Sequence, residues 1–115
     1  MCEENGKPLV IMFGTTWCPH CQWVTPAFEA VAKEYGGKIT AKHWQLDTND
    51  NTLTDQTETA IPQADMALFN QYSDGSVPLF VFGCKYYRLG NGYEASKDLP
   101  AEEAEFRAVL DELTK

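Results

Sequence analysis

Leu9-Val10-Ile11-Met12-Phe13-Gly14-Thr15-Thr16-Trp17-Cys18-Pro19-His20-Cys21 is the stretch on which the reading of this chain turns. Leu9 to Phe13 is a continuous apolar run rich in β-formers and ended by Gly14, the pattern of a strand buried on both faces. Beyond the cysteines, Val24, Phe28, Val31, Ala32 and Tyr35 recur at helical spacing, Pro19 suits a first turn, and Gly36-Gly37 supplies a stop. Cys18 thus stands where a buried strand passes into a helix. Pro26 falls inside the periodic pattern, where it removes a backbone donor, so the helix is expected to kink there rather than end.

Further along, Ile39 to Leu46 carries Ile39, Thr40 and Trp44 and reads as a second strand, parallel to the first through the helical crossover. Asp47 to Pro62, rich in Asp, Asn, Thr and Gln, breaks every periodicity and reads as a polar loop or partly ordered insertion. Ala64 to Tyr72 is a short helix with Leu68 and Phe69 or Tyr72 as its buried stripe. Leu79 to Phe82 and Tyr86 to Leu89 make an antiparallel pair joined by Gly83-Cys84-Lys85, and Gly90-Asn91-Gly92 closes it. Pro100, the early acids Glu102, Glu103 and Glu105, and the face Phe106, Val109, Leu110 and Leu113 specify a final helix.

Composition narrows the function classes. The chain has 115 residues, 9 basic against 17 acidic, for a formal charge of -8, and 43% are hydrophobic. That is one domain, residues 1–115, with enough apolar residues to build a core without help from disulfides. A sequence pI of about 4.6 and the absence of any Lys/Arg run argue against nucleic acid and anionic membranes as partners. The longest apolar run falls far short of the roughly 20 residues of a membrane span, and no cleavable signal is visible.

The chemistry lies in Cys18-Pro19-His20-Cys21. A thiol on the first turn of a helix meets unpaired backbone N–H groups and the positive end of the macrodipole, both of which favour thiolate over thiol. Cys18 is therefore expected to be the attacking sulfur. Cys21, within disulfide reach but facing the protein, is the expected resolving partner. The same spacing is half of a zinc knuckle, yet no second C-x-x-C or H-x-x-x-H completes four ligands. A c-type haem site needs His after the second cysteine, where Gln22 stands. No metal and no cofactor is called for.

With strand, Trp17-Cys18-Pro19-His20-Cys21, Pro26, a strand ending at Asp47, and Val77-Pro78 before a hairpin and last helix, the chain resembles the thioredoxin superfamily over most of its length. The resemblance implies a thioredoxin-like α/β fold with a four-stranded mixed sheet, in the order second, first, third, fourth along the chain, flanked by helices. It further implies that Pro78 is cis and lies against the cysteine pair, and that Val77 offers its backbone to an extended substrate segment. Two departures stand out. Thioredoxins proper carry Gly-Pro between the cysteines and a buried acid on the preceding strand; here there is Pro19-His20, and Met12 occupies the acid's place. Pro-His with Val before the cis-proline is similar to the bacterial periplasmic disulfide-oxidase (DsbA-like) family, in which the His helps hold the thiolate. That family's large helical insertion is absent, so only the dipeptide chemistry carries over.

In the resembled fold the chain start and the reversal after Phe82 meet at the sheet end opposite the motif, which implies a structural Cys2–Cys84 disulfide and an oxidising compartment. An alternative for Cys2 is the lipid-bearing first residue of a mature lipoprotein, with no lipobox to decide. The 47–62 loop leaves the same sheet end as the motif and is expected to border the active site. Asp47, Asn49, Asn51, Asp55 and Glu58 fit a calcium-loop spacing, but Thr52 stands where the turn wants Gly, and a solvated loop is preferred. Trp17 and Trp23 flank the motif as an apolar docking rim, with Trp23 alternatively in the core. His43 reads as a satisfied strand residue without a role.

These features combine into a thiol-disulfide oxidoreductase acting on protein cysteines through Cys18 and Cys21, with His20 and Pro19 tuning the pair and Trp17, Val77 and Pro78 docking the substrate. An extracytoplasmic oxidase or isomerase, periplasmic or secreted, is the first reading. A reductase, with cytoplasmic placement as the alternative, uses the same residues in reverse, and a non-enzymatic redox-dependent or metal-binding module is the reading of another class. Partners are cysteine-containing proteins and a redox partner, and nothing demands more than a monomer.

Overall fold

The computed structural model describes residues 1–115. The apolar run forms β2 (Lys7–Gly14), preceded by a two-residue strand β1 (Glu3–Glu4) that folds back on it antiparallel. Then follow α1 (Pro19–Glu34), β3 (Thr40–Gln45), β4 (Asp50–Asn51), α2 (Gln63–Tyr72), β5 (Leu79–Phe82), β6 (Tyr86–Leu89) and α3 (Leu99–Leu113). β2 pairs with β3 in parallel and with β5 antiparallel, giving the order β4-β3-β2-β5-β6, with β1 attached to β2 alone. The four longer strands keep the expected order, and the sheet has six strands rather than four. β1 and β4 are too short to show a period of two, and they exist because their neighbours offer free ladder groups.

Alternation along β2 builds two cores from one strand. Val10 and Met12 pack with Val24, Phe28 and Val31 of α1 and Phe106 and Leu110 of α3. Leu9, Ile11 and Phe13 pack on the other face with Phe69 of α2, Trp44 and Leu79. The molecule is therefore helix, sheet, helix in three layers. α1 continues through Pro26 without interruption. In α2, Phe69 is buried while Leu68 and Tyr72 are half-buried, and the buried stripe includes a residue the periodicity did not single out, Asp65. Its Oδ2 accepts from Lys42 Nζ at 2.8 Å and Trp44 Nε1 at 3.0 Å. Burial works against the Lys42 charge, but Asp65 and Glu4 outweigh it and hold the ammonium above its ordinary range.

The 47–62 segment is more ordered than its composition implies. Asn51 Oδ1 accepts the N–H groups of His43 (2.9 Å) and Leu53 (3.1 Å), Asp50 Oδ1 accepts Glu58 N–H (2.9 Å), and Glu58 Oε2 accepts Asn51 N–H (3.2 Å). Within the calcium-like spacing, Asn51 and Glu58 are thus turned to separate backbone donors rather than to one centre.

At the far end of β2, Cys2 is joined to Cys84, with Cα atoms 5.2 Å apart. Cys2 N–H donates to Gly83 C=O at 2.7 Å, and Gly83 and Cys84 both adopt left-handed backbone (φ 63° and 57°) in the reversal between β5 and β6. The Cys2 sulfur is spent in this bond, so the lipid thioether considered for it has no atom to form on. The bridge spans 82 residues of sequence, and loop-closure entropy of that size places its contribution at about 4–5 kcal/mol. Replacing both cysteines, Cys2→Ser with Cys84→Ser, is expected to lower the urea midpoint accordingly; an unchanged midpoint would show that the bridge constrains nothing.

Candidate active site

β2 ends at Gly14, and Thr15 to Trp17 turn the chain into α1, whose N-cap is Cys18. Cys18 Sγ accepts the backbone N–H of Cys21 at 3.4 Å, the geometry by which a helix N-terminus holds a sulfur anion. Both cysteines are reduced and buried, 4% exposed for Cys18 and 1% for Cys21, so the contrast in exposure between attacking and resolving sulfur is small. The contrast lies in their surroundings. Burial, then the hydrogen bond with Cys18, pushes the Cys21 thiol up to about 12. Trp17, 69% exposed, stands at the mouth, whereas Trp23 is half-buried against the α1 core.

The remaining parts come from distant segments. Val77-Pro78 is cis, Pro78 is buried, and its C=O accepts Gly90 N–H at 2.8 Å. No hydrogen bond within the chain uses the N–H or C=O of Val77. His20 is exposed, and its Nδ1–H donates to both Glu94 oxygens at 2.9 Å. Asn91 Nδ2 donates to His20 C=O at 3.0 Å and to Glu94 Oε1 at 2.7 Å. Those donors, Asn91 first and His20 second, hold the Glu94 carboxyl below its ordinary range. Asp47, at the start of the polar loop, accepts from Thr16 N–H at 3.1 Å and from the Thr16 hydroxyl, and these bonds keep its carboxyl low. The loop is therefore tied to the turn that leads into Trp17 and Cys18.

Two contacts of the motif escaped the sequence reading. Asn91 and Glu94 lie in what reads as a closing turn and its aftermath, and nothing local points them at His20. His43 is wholly buried beside Met12 in the β2–β3 register, on the α1 face of the sheet, with Glu29 and Thr52 at its Nδ1. No group of three or more His, Cys, Asp or Glu side chains converges as a metal site. No helix is long and apolar enough to cross a membrane.

A strand ending on a helix-capping cysteine, a second cysteine one turn on, and a cis-proline just before β5 make up the site. The thioredoxin family model matches residues 2–77. A thioredoxin of Mycolicibacterium smegmatis is 30% identical over 81 residues, covering 70% of each chain. An H-type thioredoxin of Chlamydomonas reinhardtii is 32% identical over 73 residues, 64% of this chain and 60% of its own, so the match spans less than two thirds of that relative. Among solved structures, the thioredoxin of Fasciola hepatica superposes with a TM-score of 0.56 at 24% identity, over 94% of this chain and 82% of that one, a likeness of fold. On the family match and the M. smegmatis relative together, the chain belongs to the thioredoxin family.

Proposed function

We propose that this protein is a thiol-disulfide oxidoreductase that exchanges with cysteines of other proteins through Cys18 and Cys21, and that it works outside the cytoplasm as a disulfide oxidase or isomerase. The observation that carries the proposal is Cys18 capping α1 with its sulfur on the Cys21 N–H, beside a Cys21 thiol that burial keeps protonated. In the oxidising direction a substrate thiolate attacks Cys18 Sγ of the closed pair, Cys21 leaves with the electron pair, and a second substrate thiolate releases the new disulfide as Cys18 departs. The protein pair is reduced by two electrons and the substrate is oxidised by two. A redox partner protein would return the pair to the disulfide, and one chain suffices for every step.

Docking follows from the free backbone of Val77 beside Pro78, which offers one donor and one acceptor to an extended segment, and from the exposed face of Trp17. The Cys2–Cys84 bridge favours an oxidising compartment, since such bonds rarely persist among cytosolic thiols. Pro19 and His20 between the cysteines favour the oxidase direction, by their similarity to the DsbA-like dipeptide.

One observation favours a reductase instead. Glu94 sits on His20, so the cation that would steady the Cys18 thiolate is offset by a carboxylate 2.9 Å away. The relatives' names point the same way. The reduction potential of the pair decides, read by tryptophan fluorescence against glutathione, with Trp17 adjoining the site as reporter. The oxidase reading expects a value above about -180 mV; a value below about -250 mV makes the protein a reductase, the two limits being separated by roughly 3 kcal/mol for two electrons.

A further inference from the structure

His43 Nδ1 lies 2.9 Å from Glu29 Oε2 and 2.9 Å from Thr52 Oγ1, and the Thr52 hydroxyl donates to the same Glu29 oxygen at 2.7 Å. Burial pushes the Glu29 carboxyl up, but the bonds from His43 and Thr52 outweigh it and leave the group below its ordinary range, hence ionised. A carboxylate only accepts, so Nδ1 carries its hydrogen towards Glu29, and Nε2 is the ring nitrogen left to take or give a proton. That Nε2 is buried and has no hydrogen-bond partner. An unpartnered buried polar atom is costly, and it asks for a reason.

The reason lies across Gly14. A Cβ at that position would stand 3.2 Å from Cys21 Sγ and 3.5 Å from His43 Nε2, so the sulfur and the imidazole nitrogen both border the space that the missing glycine side chain leaves open. Met12, beside His43 in the ladder, is apolar and supplies no base. Lys42, the residue before His43, is turned to the opposite sheet face towards Glu4 and Asp65. The charged and titratable groups facing the pair are therefore Glu29 from α1, with Lys33 acting on it, and Cys18 at the helix start.

We propose that His43, oriented by Glu29, takes the proton of the Cys21 thiol when Cys21 attacks a mixed disulfide at Cys18, and returns it when the pair is opened. The inference rests on the oxidoreductase reading above and adds a proton path to it. In the closing step the S–H hydrogen moves to Nε2 as a proton, and the Cys21 sulfur pair forms the bond to Cys18 Sγ. The bond from Cys18 to the substrate sulfur breaks, and the substrate leaves as thiolate with that electron pair. Opening the pair runs the same transfers backwards. Such a base is needed because a thiol held near 12 is almost wholly protonated at neutral pH, and the thiolate is the nucleophile.

The experiment uses the reduced full chain and dithionitrobenzoate in stopped flow. Attack by Cys18 releases one coloured thiolate in a concentration-dependent phase, and closure by Cys21 releases the second in a concentration-independent one. In His43→Asn the second phase is expected to slow on the order of a hundredfold, with the first unchanged within about twofold. Its rate should also climb roughly tenfold per pH unit from neutral to alkaline solution, as hydroxide becomes the acceptor, while the native protein shows a flatter profile. A merely structural role for His43 would not change the pH profile of one phase alone. Glu29→Gln, which keeps size and hydrogen bonding, should slow the second phase on the order of tenfold and decides the matter if His43→Asn fails to fold. A second phase within about threefold of native in His43→Asn, or unchanged in Glu29→Gln when that variant must decide, overturns the assignment while leaving the oxidoreductase reading intact. A native protein that releases neither thiolate overturns both.

Discussion

Cys18→Ser is expected to reduce exchange with a dithiol substrate to the uncatalysed background, while Cys21→Ser retains the first attack and accumulates a mixed disulfide. The asymmetry comes from the site's construction. Only the sulfur that caps α1 meets the helix amides, and a serine hydroxyl there is neither ionised near neutral pH nor able to form the S–S intermediate. Cys21 is buried behind it and pushed up to about 12, so it acts only after the substrate is attached. The checks are turnover of a reduced or oxidised cysteine-containing peptide and intact-mass detection of the trapped adduct. Appreciable turnover by Cys18→Ser, or attachment of the substrate to Cys21 in the native protein, would contradict these roles.

Glu102→Ala is expected to cost about 3–5 kcal/mol, the cost of breaking a buried ion pair by removing one partner. Glu102 is wholly buried on α3, and its Oε2 accepts the N–H groups of Gly92 and Tyr93, each at 3.2 Å. Its Oε1 stands 2.9 Å from Arg88 Nη2 as an ion pair without hydrogen-bond alignment. Arg88 lies over the rings of Phe80 and Phe106, 4.8 and 5.0 Å from their centroids, and keeps Glu105 at 2.8 Å as its remaining ion-pair partner, with its Nε donating to Gly90 C=O at 3.0 Å. Removing Glu102 thus orphans two backbone donors and half-strips a cation at the junction of sheet, α3 and the 90–98 segment. Since that segment carries Asn91 and Glu94, the variant should also loosen the hold on His20. Thermal unfolding checks the first consequence, with a fall in midpoint on the order of 10–20 °C. A shift in the reduction potential of the Cys18–Cys21 pair in the folded variant checks the second. A midpoint within a few degrees of native would show that the buried carboxylate is not a keystone of that junction.

How far the chain could be read without its structure divides along physical lines. The buried strand at 9–13, the helix after Cys18, its passage through Pro26, the hairpin after Pro78 and the final helix were all legible. Each rests on interactions within a turn or two: apolar periodicity, a cap, a proline at a first turn, a glycine in a reversal. The two cysteines were legible for the same reason, being three residues apart and placed by a local cap. β1 and β4 were not, because two residues carry no period and pair only where a neighbouring strand leaves its edge open. The polar run at 47–62 reads as a loop because its order comes from side chains that answer backbone groups far outside a helix or strand period: Asn51 the His43 N–H beyond the run, Glu58 and Asp50 the N–H groups of Asn51 and Glu58 seven and eight residues off. Least visible were the partners of the active site. Glu94 meets His20 across 74 residues of chain and Glu29 meets His43 across 14, and each of the four, taken alone, is an ordinary polar residue. By itself the sequence determined that a cysteine of a C-x-x-C pair caps a helix after a buried strand, since local free energy is written in neighbouring residues. Which carboxylate rests on His20, and which imidazole faces Cys21, only the tertiary structure decided, because a hydrogen bond between distant residues leaves no mark on the segments that supply its two ends.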